Sequence, residues 1–409
     1  MEPLAYLDSL EQFGIKFGLD NIRALLTRLG NPDRAFRSIH VAGTNGKGSV
    51  TAMVDTVLRR AGHRCARYTS PHLIDLSERF VVDGRPVDAR ELRQAAENAQ
   101  RAIESALADG TLPAKPTFFE ATTAMAFDIF CRARVEFAVI EVGLGGRLDS
   151  TNVIDPVVTA ITSIDFDHQK YLGDTLTDIA REKAGIVKRG VPVVVGDMTR
   201  EAFDVIERIA RERGAELIRA DAPGRDYGSI RLGLRGAHQA ANARVAMRVL
   251  ETLERLGVTI GAEAIVDGLT NVTWPGRLEH RTAAGGGEII LDAAHNPAGA
   301  AALASYLRTL GGPKPTLVFA AMRDKDVVGM LKVLLPAIAR VIITRPSNPR
   351  AADPEELAAR IRAIDAAVPV DIVTPPGAAV AEATRRSRRV VVAGSIFLLG
   401  DVMQETGGC

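Results

Sequence analysis

Residues 41–49 read Val-Ala-Gly-Thr-Asn-Gly-Lys-Gly-Ser, a glycine-rich turn set between an apolar run and a helical pattern. Ser38–Ala42 reads as a short buried strand. Beyond Ser49, the residues Val50, Met53, Val54, Val57 and Leu58 recur at helical spacing until Gly62 supplies a stop. Strand, glycine loop, lysine, hydroxyl and helix in this order wrap a nucleotide polyphosphate. Gly43, Thr44, Asn45, Gly46 and Gly48 offer backbone amides, the helix N-terminus favours negative charge, and Lys47 adds a mobile cation. One position departs from the usual loop: Gly48 follows the lysine where a Mg²⁺-ligating hydroxyl normally stands, and the hydroxyl comes one residue later at Ser49. If the loop holds a Mg–nucleotide, some metal ligands must come from elsewhere in the chain. A glycine turn with an incidental lysine is the alternative.

A chain of 409 residues suggests two or three domains, or one large and one smaller. Lys and Arg number 51 against 50 Asp and Glu, so no general attraction to nucleic acid or an anionic membrane is expected. The Arg385–Arg389 cluster reads as a solvated helix end. Cys65, Cys131 and Cys409 are odd in number and widely spaced, which argues against a disulfide framework or zinc site. Glu2, Asp8 and Glu11 come early, with no apolar signal-peptide core, and no apolar stretch is long enough to span a bilayer. A cytoplasmic, monomeric protein is expected.

Strand-like and helix-like segments alternate nearly throughout, which predicts an α/β fold with mainly parallel sheets. Helices are expected at Asp88–Ala108, with Asp88 and Glu91 at capping-box spacing, and at Phe119–Cys131, Asp174–Val187 and Ala237–Leu256. Strands are expected at His63–Tyr68, Phe137–Val142, Val157–Thr162 and Val191–Val195. The pattern breaks at Trp274-Pro275-Gly276, so the boundary is drawn between 277 and 278. A fresh alternation follows, with strands at Ile289–Asp292, Thr316–Ala320, Val341–Thr344 and Val390–Ala393. Asp353-Pro354-Glu355-Glu356 is a helix start, and Gly285–Gly287 a tight turn.

Chemistry-bearing residues gather at predicted strand ends, where ligands of a parallel sheet collect. Glu141 ends one strand beside Gly143-Leu144-Gly145-Gly146 and is placed either to bind a hard cation or simply to face solvent. His168 should reach the same sheet edge as a ligand or a loop residue. Lys183 falls on the apolar stripe Leu176, Ile179, Ile186, Val187, so it must be paired, neutralised or snorkel to water. An unprotonated amine there can take up CO₂ as a carbamate and become a carboxylate-like metal ligand. In the second half, Asp292 could take ribose hydroxyls and His295 could contact the nucleotide, while Asn296 before Pro297 reads as a helix cap.

Ala42-Gly-Thr-Asn-Gly-Lys-Gly-Ser, Thr69-Ser-Pro-His-Leu, Thr117-Phe-Phe-Glu, Glu141-Val-Gly-Leu-Gly-Gly-Arg-Leu-Asp, Asp167-His, Arg181-Glu-Lys-Ala-Gly-Ile, Trp274-Pro-Gly-Arg, Asp292-Ala-Ala-His-Asn-Pro and Asp324-Lys-Asp occur in this order. The ordered set closely resembles the folylpolyglutamate synthase/dihydrofolate synthase family, a branch of the Mur ligases. The resemblance implies a P-loop-type ATPase domain with a folate pocket (1–277) and a smaller Rossmann-like α/β C-terminal domain (278–409). It implies ligation of L-glutamate to dihydropteroate or reduced folates, with ATP and two Mg²⁺ sites. Lys47 and Ser49 would hold ATP phosphates. Ser70, Glu141 and His168 would hold metal, and Lys183 would be carbamylated. Asn242 and His295 would lie on the adenine side. Arg277 would contact phosphate, and Asp292 ribose or the other domain. Thr117, Phe119, Arg147 and Asp149 would line the pterin side, and Ser395 the substrate side. Phe397 stands where some members carry a histidine.

Overall fold

The computed structural model describes residues 2–11, 14, 16–283 and 285–406. Its contacts divide into two compact units: residues up to Ile164 with Gln169–Leu232 and Ala241–Val272, and Asp165–His168 with Gly233–Ala240 and Thr273 onward. Each unit is an α/β domain built on a mainly parallel sheet.

Among the described residues the first unit's sheet has eight strands. They are β1 (Arg37–Ala42), β2 (Cys65–Tyr68), β3 (Phe80–Val82), β4 (Arg85–Pro86), β5 (Phe137–Glu141), β6 (Val158–Ile161), β7 (Val193–Val195) and β8 (Leu217–Arg219), ordered β4-β3-β2-β5-β1-β6-β7-β8. All pairings are parallel except β2/β3 and β3/β4. β1 lies between β5 and β6, with Val41 opposite Glu141 and Ala42 opposite Ile161, so the ends of three strands open at one edge. Helices cover both faces, which is why these central strands read as near-continuous apolar runs. On one face Leu25, Ile103, Phe127 and Phe130 pack against Tyr68 and Ile140. On the other, Ile179 and Ile206 pack against Ile161, Val193 and Val195.

The second unit's sheet comprises β9 (Glu279–Thr282), β10 (Glu288–Leu291), β11 (Thr316–Phe319), β12 (Arg340–Ile343), β13 (Val370–Ile372) and β14 (Arg389–Ala393), ordered β13-β12-β11-β14-β10-β9. Among the described residues only the β9/β10 pairing of this sheet is antiparallel. The hairpin between them closes around Gly285–Gly287, the Ala283 amide meeting the Gly287 carbonyl at 2.7 Å.

Several expectations need adjustment. The helix expected over 174–187 is present but shorter: it spans Leu176–Ala184, starts on a Thr175 cap and is preceded by a separate short helix, Gln169–Leu172. Ile186 and Val187 lie in the turn beyond it, so the stripe around Lys183 is only partly helical. Asp88 caps Ala89–Ala108 through the Glu91 amide, which is half of a capping box. Full boxes form at Asp75/Glu78 and Thr117/Glu120. Arg385 and Arg386 end the helix Pro376–Arg386, whereas Arg389 opens β14 and pairs with Glu288 at 2.7 Å. Cys65 and Cys131 are free thiols, and Cys409 lies outside the described residues.

Candidate active site

The glycine loop of the first unit leaves β1 and turns into the helix Lys47–Arg60. Gly43 has φ 147°, and a Cβ there would fall 1.9 Å from the Thr162 hydroxyl, so only glycine fits. Gly46, with φ 87°, packs against the Asn242 side chain, which would stand 2.2 Å from a Cβ. Thr162 and Ser163, just past β6, fix the loop: both hydroxyls donate to the Asn45 carbonyl, at 2.6 and 3.1 Å, and the Ser163 carbonyl accepts the Thr44 amide at 2.8 Å. The sequence reading missed this pair; two hydroxyls closing an apolar strand were the signal. Ser49 is buried in the helix's first turn. Lys47 Nζ folds back onto the Gly43 and Thr44 carbonyls at 3.1 and 3.2 Å.

Lys183 converges on the same carbonyl. Its Nζ donates to Gly43 O at 3.0 Å and the residue is 5% exposed, which excludes snorkelling to solvent. Glu141, at the end of β5, is 5% exposed, and its Oε2 accepts the Ser70 amide at 3.2 Å. The acid and the hydroxyl-bearing residue singled out for metal are therefore neighbours. Beyond Ser70, His72 Nδ1 accepts from Arg79 Nε at 2.9 Å. Burial and the Arg79 charge push the His72 imidazole down to about 4, so it stays neutral near pH 7.

The second glycine turn, Gly143–Gly146, is wedged between two walls. A Cβ on Gly143 would meet the Phe119 ring at 2.4 Å, and one on Gly146 would meet the Lys183 carbonyl at 2.8 Å. Phe119 also stacks on Tyr68 with centroids 6.0 Å apart. Thr117 is a buried helix cap, accepting the Glu120 amide at 3.1 Å. Arg147 pairs with Glu182 at 2.8 Å. Asp149 is fully engaged by its own loop: it accepts the Leu144 amide at 2.8 Å, the Thr151 amide at 3.0 Å and the Thr151 hydroxyl. Burial raises its carboxyl pKa, while these hydrogen bonds pull the other way.

In the second unit, Asp167 is the centre of a charged cluster. Its Oδ1 meets Lys325 Nζ at 2.6 Å, and both side chains are 9% exposed. Asn296 Nδ2 donates to Oδ2 at 3.1 Å and His295 Nε2 lies 3.6 Å away. Burial opposes ionisation, but the His295 hydrogen bond and the Lys325 charge hold the carboxyl far below the usual range. His168, with φ 52°, stands 3.4 Å from Lys325 Nζ through Nε2. Asn296 also caps Pro297–Thr309 by accepting the Gly299 amide at 2.8 Å, so cap and cluster member are the same residue. Asp292 accepts the Leu278 and Ala294 amides, each at 3.0 Å, and its pKa is raised by burial against the opposing charge of Arg277. Ser395 is likewise a buried cap, accepting the Phe397 amide at 3.2 Å. The Arg350 guanidinium lies 5.5 Å over the Phe397 ring. Nothing in the motif Asp324-Lys325-Asp326 assigns Lys325 its role at Asp167, beyond a lysine set between two aspartates past a strand.

Comparison with known proteins shows the family to which the chain belongs. Residues 41–220 match the Mur ligase middle domain and residues 276–396 the Mur ligase glutamate ligase domain. Dihydrofolate synthase/folylpolyglutamate synthase of Bacillus subtilis is 34% identical over 96% of this chain and 95% of its own length. A probable bifunctional folylpolyglutamate synthase/dihydropteroate synthase of Haloferax volcanii is 35% identical over 98% of this chain, which spans 50% of that longer protein. Mycobacterium tuberculosis folylpolyglutamate synthase complexed with ADP and AMPPCP superimposes with a TM-score of 0.91 at 33% identity, covering 99% of this chain and 98% of that one. Escherichia coli FolC in complex with DHPP and ADP gives a TM-score of 0.86 at 28% identity over 99% and 98% of the two chains. With its two sheets, its phosphate loop and its ordered motifs, this chain belongs to the dihydrofolate synthase/folylpolyglutamate synthase family of Mur ligases.

Proposed function

We propose that this chain, an ATP-dependent glutamate ligase, joins L-glutamate both to dihydropteroate and to folate mono- and polyglutamates. The observation that carries the reading is the convergence of the Lys47 and Lys183 side chains on the Gly43 carbonyl, at the mouth of a phosphate-type loop. The substrate carboxylate attacks the γ-phosphate of ATP, giving an acyl phosphate and ADP. The glutamate amine then displaces phosphate through a tetrahedral intermediate. Lys47 offsets charge on the transferring phosphoryl group, and the loop amides hold the remaining phosphates, a task of positioning and electrostatics. Arg277, His295 and Asn242 are read as nucleotide contacts, and Ser395 as a glutamate-side residue.

Glu141 and Ser70 are hard oxygen donors side by side, so they fit Mg²⁺, which would supply positive charge against the phosphates. A second cation on His168 requires its Nε2 lone pair to be free of Lys325. Lys183 fits carbamylation in being buried and facing the loop, and the modification would replace a cation by an oxygen ligand. Among the described residues no helix is long and apolar enough to cross a membrane. We read the protein as a cytoplasmic monomer.

The test is ADP release by purified protein given ATP, Mg²⁺ and glutamate with dihydropteroate, with tetrahydrofolate, or with neither. Turnover with both acceptors and none without is expected. Turnover with tetrahydrofolate alone would reduce the activity to tail extension, and turnover with neither would overturn the ligase reading.

A further inference from the structure

His40 lies three residues before Gly43, on the strand that delivers the phosphate loop, and its position in the chain suggests service to ATP. Its contacts lead elsewhere. The ring is fully buried, and Nε2 meets the Thr151 hydroxyl at 2.8 Å. That hydroxyl is bound in turn to Asp149 Oδ1. Asp149 already accepts the Thr151 amide on Oδ1 and the Leu144 amide on Oδ2, and the Gly143 amide also lowers its pKa. A carboxylate receiving these N–H groups is an acceptor, so the Thr151 hydroxyl donates to it and accepts from His40 Nε2–H. The chain of donors thus runs His40 to Thr151 to Asp149, and its far end holds the turn Gly143–Gly146 against Phe119.

We propose that His40 is a positioning residue for the folate side of the active site, acting through Thr151 and Asp149 on the Gly143–Gly146 turn, and that it is not a nucleotide-binding residue. The inference rests on the reading of that turn and Phe119 as the pterin wall. The Asp149 carboxylate is engaged by loop amides and the Thr151 hydroxyl, so it acts on the substrate by fixing the wall's shape. Neutral His40 suits this role. Burial pushes its pKa down to about 3, and Nδ1 has no hydrogen-bond partner among the described residues, so the ring keeps a single proton on the relay side.

Two pairs of substitutions test the relay in the full chain. Thr151→Val keeps shape and removes the hydroxyl, whereas Thr151→Ser keeps the hydroxyl. His40→Asn leaves its amide short of Thr151, whereas His40→Gln reaches the Nε2 position. KM for dihydropteroate and tetrahydrofolate should rise about tenfold in Thr151→Val and His40→Asn, the effect of one lost buried hydrogen bond. KM for ATP should change little. The melting temperature should fall by a few degrees in Thr151→Val and His40→Asn as a buried partner is left unpaired, and Thr151→Ser and His40→Gln should recover most of both the folate affinity and the stability. A rise in ATP KM matching the folate effect, or a His40→Gln variant as impaired as His40→Asn, would overturn the proposal. Phe119→Ala separates the two layers of inference. If it raises folate KM while Thr151→Val does not, the relay alone is wrong. If Phe119→Ala also leaves folate KM unchanged, the wall assignment fails and the proposal with it.

Discussion

Lys47 makes its hydrogen bonds to two carbonyls of its own loop, so its removal subtracts little from packing. Lys47→Ala should lower kcat/KM by about 10²–10³, the scale of losing one preorganised charge at a phosphoryl centre, with an unchanged melting curve. Steady-state ADP release and differential scanning calorimetry together check this. His40 carries the opposite signature, a stability dependence on pH. Its folded pKa, about 3, lies below the ordinary 6.5, so the folded state binds fewer protons than the unfolded one. The stability associated with neutral His40 is therefore complete above pH 6.5 and is lost progressively as pH falls towards 3. Between pH 7 and pH 5 this amounts to about 2 kcal/mol. His40→Gln should remove that component, seen as a shallower fall in urea-unfolding free energy from pH 7 to pH 5 than in the unaltered protein. His72 also loses neutrality on acidification, so the difference between the two proteins, rather than either slope, isolates His40.

Among the elements, the helix Phe118–Arg132 begins with a full capping box that the Thr-x-x-Glu spacing permits: Thr117 accepts the Glu120 amide and Glu120 accepts the Thr117 amide at 2.7 Å. Thr117→Ala should cost about 1 kcal/mol in denaturant unfolding, and Thr117→Ser should restore it, whatever either does to substrate KM. Elements with strong local signals were legible. The strands ending at Ala42 and Glu141, the helix capped by Asp353 and the cap at Asn296 all carry the pattern in their own residues. β3, β4, β8, β9 and β13 were not legible: four of them have two or three residues, and β9 is the polar run Glu-His-Arg-Thr with no apolar alternation to mark it. At the site, the loop glycines and Lys47 announce themselves. The partners of Lys183, Asp167 and His40 depend on contacts 140, 158 and 111 residues apart in sequence, which no local pattern records.

For the molecule as a whole, nucleotide binding should stabilise the fold by mass action, about 2.7 kcal/mol at a ligand concentration one hundred times Kd. If Glu141 and Ser70 hold Mg²⁺ beside the phosphates, chelation with EDTA should remove most of the ADP-induced rise in melting temperature. The same treatment should leave the ligand-free protein's melting temperature unchanged. Glu141→Gln should reproduce the chelated behaviour without EDTA. A melting shift insensitive to both treatments would separate nucleotide binding from this pair. β1 also has a wider consequence. It is clamped by neighbours on both edges, and a one-residue slip would turn every side chain to the opposite face. The strand therefore works as a ruler. His40 and Gly43 sit three positions apart, about 10 Å at the rise of an extended chain. On the proposed reading of the site, that interval would tie the mount of one substrate's wall to the start of the other's cradle. On that reading the loops at the sheet's edge, rather than the strand, would absorb variation in substrate size, because the scale itself cannot be stretched.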